Sequence, residues 1–292
     1  MKYDVAIAHR VCPVLAGSAA GFSDKFAMVK ATTASLAAAM RGLRVKLVVI
    51  LDGCPIEYER LFDDTFSDIG DNYSRTSTNS IGNKATYAKQ VEILSSYTKD
   101  AKYLYFSEDD YLYREYALAA MADFLDRPGV DFVTPLDHPD RYSISFPQSK
   151  KSEIRVSRFC HWREVGSTCC TFMVKSETFL KTVARLSAYS RGVTDTSTWL
   201  GLTKDRVFSP SANIGAIFTC LYRLIRYRRK EYNLWVPATW YYHKWRLLFW
   251  RRYRLWGPMP TLAVHLCGPS LPPISIVNQS IAEGSGAVLS AL

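Results

Sequence analysis

The alternation in the first half of the chain, between short apolar runs and segments with helical spacing, leaves few architectures open. Residues 3–8 (YDVAIA) and 45–51 (VKLVVIL) are rich in aliphatic and β-branched side chains, as strands buried inside a sheet are. Between them, Phe26, Val29, Leu36 and Met40 recur at helical spacing over residues 24–41, with Ser23 placed to cap the helix and Gly42 to end it. The pattern then predicts a helix over 84–97 after Gly82-Asn83, a strand over 103–106, a helix over 115–125 stopped by Pro128-Gly129, and a strand over 131–134. Helices that return the chain between strands give a parallel sheet covered on both faces. The expected class is α/β, with a Rossmann-like, mostly parallel sheet flanked by helices.

In such sheets ligands gather beyond the carboxyl ends of the strands. The polar groups there are His9-Arg10, Asp52 and the triplet Glu108-Asp109-Asp110. Three adjacent carboxylates repel one another, and Glu108 and Asp110 alternate onto the same side of an extended chain. A hard divalent cation with oxygen ligands offsets that repulsion, one or two carboxylates plus phosphate oxygens being a common set. A solvated acidic turn, or a helix N-terminus, is the plain alternative.

The runs VAIAHR, VVILDGCP, SIGNKATYAKQVEIL and YLYFSEDDYLY, over about residues 3–125, resemble in order and spacing the GT-A nucleotide-sugar glycosyltransferases of the family-two-like kind. Their acidic DXD-type motif stands here as Glu-Asp-Asp, similar to the variant in animal N-acetylglucosaminyltransferases of that fold. The resemblance implies Mn²⁺ or Mg²⁺ bound by Asp110, with Glu108 acting at longer range or through water and Asp109 reaching ribose or sugar hydroxyls. It implies that Asp52 and the His9–Arg10 segment hold the nucleoside, and that Asn83 and Lys84 lie near the ribose or diphosphate.

It extends to the second half of the chain. Trp162-Arg163, ahead of the apolar run 169–174, resembles the strand lining the sugar and acceptor pocket, where an aromatic face suits a sugar and Arg a diphosphate. A core Trp and a surface Arg is the other reading. Asp195 is similar in position to the base of inverting members, although the chain has Thr-Asp where many relatives have Glu-Asp; a helix cap is the alternative. His265, alone in the apolar run 261–266, is either a satisfied core imidazole or the late His that completes the metal and diphosphate site. The turn Asp137-His138-Pro139-Asp140-Arg141-Tyr142 could meet the donor sugar or be an ordinary turn.

The net charge of +10 is local: residues 221–256 hold ten Lys/Arg against Glu231 alone. Ile214, Ile217, Phe218, Leu221, Leu224 and Ile225 mark one face of a helix there, which Ser211 can cap, followed by Trp and Tyr interleaved with Lys and Arg. Rings with cations suit an anionic membrane surface, a nucleic-acid groove, or a helix packed on the core with a solvated basic face. No apolar run approaches the roughly 20 residues of a membrane span. Seven Cys at irregular spacing, with no CxxC pair, and an N-terminus without a signal-like apolar stretch suggest free thiols in a reducing compartment. The expectation is a cytoplasmic enzyme, peripheral on the inner face of a membrane, binding no nucleic acid. It takes a nucleotide-sugar, UDP-sugar favoured, and a glycan or lipid-linked acceptor.

The expected organisation is a catalytic domain over 1–210, with a nucleotide half to about 125 and an acceptor half over 126–210. A basic aromatic segment over 211–292 then returns His265 to the site. A sugar-phosphate nucleotidyltransferase shares such a sheet, but HRVCPVLAGSAAGFSD lacks its Gly-rich, Arg-containing phosphate loop. A non-enzymatic basic binding protein would leave the acidic triplet without a role.

Overall fold

The computed structural model describes residues 1–15, 22, 24–138, 152–210, 214 and 235–267. Of the helix expected over the basic run 214–230 only Ile214 is described, and the turn residues Pro139 to Tyr142 lie outside the described residues. The strands are β1 Tyr3–Val11, β2 Val45–Asp52, β3 Tyr73–Thr78, β4 Ala101–Glu108, β5 Tyr111–Tyr113, β6 Phe132–Val133, β7 Ile154–Val156, β8 His161–Val165, β9 Phe172–Lys175, β10 Leu255–Met259 and β11 Ala263–His265. The α-helices are α1 Lys25–Ala39, α2 Ile56–Phe66, α3 Asn83–Ser96, α4 Ala117–Leu125, α5 Ser176–Leu186, α6 Asp195–Thr203, α7 Trp235–His243 and α8 Arg246–Phe249.

Nine strands form one sheet in the order β3-β2-β1-β4-β9-β6-β10-β8-β7, and β5 with β11 forms a separate ribbon. The run β3-β2-β1-β4 is parallel throughout, as is β6 with β10; β9, β8 and β7 pair antiparallel. The class is thus α/β, with a parallel half carried by the alternating region and a mixed half beyond it. Val5, Ile7, Leu47 and Val49 turn to one face, where Val29 and Leu36 of α1, Phe62 of α2 and Met121 and Phe124 of α4 cover them. Ala6, Ala8 and Leu104 turn to the other, against Tyr87 and Val91 of α3, Phe179 of α5 and Trp199 of α6.

Several expected boundaries shift for local reasons. β1 runs on through His9 and Arg10, because parallel partners on both sides continue the ladder to Val11 against Leu51 and to Arg10 against Glu108. Asp24, not Ser23, caps α1: its Oδ1 accepts from the Ala27 amide at 2.8 Å. Thr194 caps α6 through the Ser197 amide, so Asp195 is the first helical residue and not the cap. Within the expected C-terminal segment, β10 lies between β6 and β8 of the sheet. No disulfide occurs among the described residues; Cys12 is exposed and Cys170 and Cys267 are buried.

Candidate functional site

A cleft of roughly 420 Å³ opens at the carboxyl ends of β1, β2 and β4, where Arg10, Asp52, Asn83, Glu108, Asp109 and Asp110 meet. A larger concavity, about 740 Å³, lies at the amino ends of β1 and β2 near Tyr3 and Val45, away from the acidic triplet.

Each carboxylate of the triplet has a different cationic partner. Glu108 Oε1 lies 2.5 Å from the Arg10 guanidinium, its cross-strand neighbour, and Oε2 accepts from Thr171 Oγ1 at 2.9 Å. Arg10 also donates to the backbone carbonyl of Asn83 at 2.8 Å and to the Asn83 side-chain oxygen. Asp109 Oδ1 lies 2.8 Å from Lys25 Nζ, and Oδ2 accepts from the Cys12 amide at 2.9 Å. Asp110 Oδ2 lies 3.0 Å from His265 Nε2, while Asp110 Oδ1 is buried with no hydrogen-bond partner among the described residues. A buried carboxylate oxygen without a donor is costly.

Burial and the adjacent Asp110 charge push Asp109 up to about 6, against the pull of Lys25. Burial acts on Asp110 in the same sense, but the hydrogen bond and charge of His265 outweigh it and hold Asp110 below its ordinary value. His265 is correspondingly raised: burial opposes its charge, and Asp110 overcomes that. The ribbon builds this pair. His265 sits opposite Tyr111 in the β5–β11 register, its ring 4.9 Å from that of Tyr111, and the Leu266 amide donates to the Asp110 carbonyl at 2.8 Å.

Asp52 organises the other side of the cleft. Its Oδ1 accepts from Thr78 Oγ1 at 2.8 Å and the Ile81 amide at 2.7 Å, and its Oδ2 from the Gly82 amide at 2.8 Å. These donors prevail over burial and hold it below the usual carboxylate value. The loop passes so close that a Cβ on Gly53, at φ +67°, would lie 2.1 Å from Ser80 Oγ.

The other expected residues lie elsewhere. His9 is 1% exposed beneath the cleft, its Nδ1 2.9 Å from Ser107 Oγ, and burial, then Lys25, lowers it to about 3, so it is neutral. Lys84 is exposed and extends toward Gly192, where a Cβ would lie 3.7 Å from its Nζ. Trp162 is fully buried and stacked on Phe124 at 4.5 Å, with its Nε1–H donating to Ser157 Oγ; the core claims its faces. Arg163 pairs with Asp137 at 3.1 Å. Asp195 opens α6 beside Tyr87, Cys170, Tyr189 and Trp199, and accepts from the Thr196 amide at 2.6 Å. Burial first, then the charge of Glu108, raises its pKa against the hydrogen bonds from Thr196.

Lys25 was not singled out by the sequence reading. A signal was present: a cation in the first turn of α1 opposes the helix dipole, so a nearby anion must hold it there.

No protein-family model matches the chain, and no curated protein matches it. Solved structures do. Staphylococcus aureus TarS 1–349 shares 13% identity over 68% of this chain and 55% of that one, with a TM-score of 0.43. The galactosyltransferase LgtC with donor and acceptor sugar analogs shares 11% over 98% and 100%, at 0.43. The mannosyltransferase PcManGT from Pyrobaculum calidifontis, in complex with GDP-Man and Mn²⁺, shares 10% over 84% and 71%, at 0.43. A cytidylyltransferase from Leptospira borgpetersenii is among the other matches, with 10% identity over 62% of this chain and 64% of that one, at 0.34. The chain spans about half the length of the TarS fragment. Likeness at this distance carries no argument about residues, donor or reaction; the fold class rests on the chain's own sheet and its two covering helical layers.

Proposed function

We propose that the chain is a metal-dependent glycosyltransferase that moves a sugar from a nucleotide-sugar, UDP-sugar favoured, to a glycan or lipid-linked acceptor with inversion. One observation carries the reading: of the three acidic side chains, only Asp110 keeps a buried oxygen without a partner, and its one partner is an imidazole. Glu108 and Asp109 are both occupied on each oxygen.

A carboxylate oxygen beside an imidazole nitrogen fits a divalent cation, and the mixed donor pair favours Mn²⁺ over Mg²⁺. No group of three His, Cys, Asp or Glu side chains suited to a metal occurs among the described residues, so Asp110 and His265 would hold the ion with oxygens of the donor diphosphate. When bound, the ion offsets the charge that develops on the departing nucleoside diphosphate. Arg10 fixes Glu108 and the start of α3, and Asp52 fixes the loop before it, so the cleft walls are set before the nucleotide arrives. Asp195 accepts the proton of the acceptor hydroxyl as its oxygen attacks the anomeric carbon, a task its raised pKa suits.

Calorimetric titration of UDP with and without Mn²⁺ tests the reading. The wild type should bind UDP more tightly with Mn²⁺, and Asp110→Asn should lose the Mn²⁺-dependent part while still unfolding in one cooperative thermal transition. Equal Mn²⁺ dependence in wild type and variant would remove Asp110 from the role.

A further inference from the structure

The largest exposed apolar side chains among the described residues of the second half gather on the consecutive helices α7 and α8. Thr239, His243 and Leu247, at four-residue spacing, are buried, and Trp240 Nε1–H donates to the Val207 carbonyl at 2.9 Å, so one side of α7–α8 is packed against the body. Gly201 of α6 lies so close that a Cβ would stand 2.6 Å from His243 Nε2. The opposite side is bare: Tyr241 is 75% exposed, Trp245 64%, Leu248 59% and Phe249 78%. Trp245 and Phe249 meet edge to face at 5.9 Å. Lys244 and Arg246, exposed on the same turn, make no ion pair with a described residue, and no acidic residue occurs between 232 and 256.

We propose that this face of α7–α8 docks on an anionic lipid bilayer, with the rings and Leu248 at headgroup depth and Lys244 and Arg246 against lipid phosphates. Indole, phenyl and aliphatic side chains rimmed by unpaired cations match that interface in both polarity and sign. The other occupants fit less well. A second copy would bring the same cations face to face. A nucleic-acid strand would find rings to stack on but would leave the exposed aliphatic Leu248 among phosphates and sugars, where a lipid interface gives it an apolar neighbour. No helix among the described residues is long and apolar enough to cross a membrane, so the contact proposed is peripheral. It does not depend on the catalytic reading.

Co-sedimentation of the full chain with phosphatidylcholine vesicles, with or without phosphatidylglycerol, is the test. Wild type should prefer the anionic vesicles at low salt and lose most binding near 1 M salt, where the Debye length is about 3 Å. Trp245→Glu/Phe249→Glu should weaken binding roughly tenfold or more. Lys244→Gln/Arg246→Gln should lose the anionic preference. Circular dichroism melts check that the variants fold, and quenching of wild-type tryptophan fluorescence by brominated lipid gives a readout that needs no variant. Four outcomes would each overturn the proposal: no anionic preference at low salt, no quenching, an oligonucleotide that displaces the vesicles, or a wild-type dimer that the Glu variant dissolves.

Discussion

At Asp110 an imidazole stands where Glu108 has a guanidinium and Asp109 an ammonium, and only the imidazole titrates near neutrality. The folded state raises His265 above its ordinary 6.5, so without metal the pair adds stability that is full below pH 6.5 and is lost as pH rises through the raised value. Asp110 is lowered from 3.8, so its share is present above that pH and lost as pH falls through the folded value. In metal-free protein the stability gap between wild type and His265→Gln should be on the order of 1 kcal/mol around pH 5–6 and shrink by pH 9. A gap independent of pH would show that the pair is not charged. Asp195 gives a kinetic counterpart. Asp195→Asn should lower kcat by roughly 10²–10⁴ with donor affinity unchanged. Because burial raises Asp195 above 3.8, the acid limb of the wild-type kcat/KM profile should lie above the ordinary aspartate range. Near-normal turnover in the variant would place the base elsewhere.

Helix α6 links the candidate base to the exposed face of α7–α8. Asp195 stands at its start, and Gly201 touches His243 of α7 two turns later. Gly201→Ala should drive the His243 ring out of its site and cost about 1–3 kcal/mol, the usual range for overpacking, measured by chemical denaturation. A neutral or stabilising result would mean the ring moves freely. The helices also show which elements the sequence discloses. α3 and α4 appear within two residues of their expected bounds, since their apolar spacing is regular and Gly82 and Pro128 punctuate them. α2 and β3 went unread: α2 buries only Tyr58, Phe62 and Phe66, and β3 alternates at the sheet edge with no fully buried residue. β6 falls inside the strand expected over 131–134, whereas the three-residue β5 lies below the length at which periodicity distinguishes a strand.

For the molecule as a whole, local pattern disclosed the parallel half of the sheet, and long-range pairing was hidden. The acidic triplet is visible because three charges follow an apolar run. That Arg10 meets Glu108, Lys25 meets Asp109 and His265 meets Asp110 depends on strand register and on a ribbon that no local pattern specifies. Trp162 misled because an indole reads alike on a pocket wall and in a core, and only the stacked Phe124 decides. Ligand should act on the whole transition: UDP with Mn²⁺ at about 100 times its Kd should add roughly 2.7 kcal/mol and raise Tm by several degrees. UDP alone should shift it less, and equal shifts would argue against a metal-linked site. The β5–β11 ribbon also sets an order of events in the cell. His265 follows Asp110 by 155 residues, so a ribosome translating this chain completes the parallel half of the sheet well before it adds the imidazole. A nascent chain that has built the cleft at the ends of β1, β2 and β4 still lacks the second of the two side chains proposed to hold the metal, so the acidic turn stays without that partner until synthesis has passed residue 265.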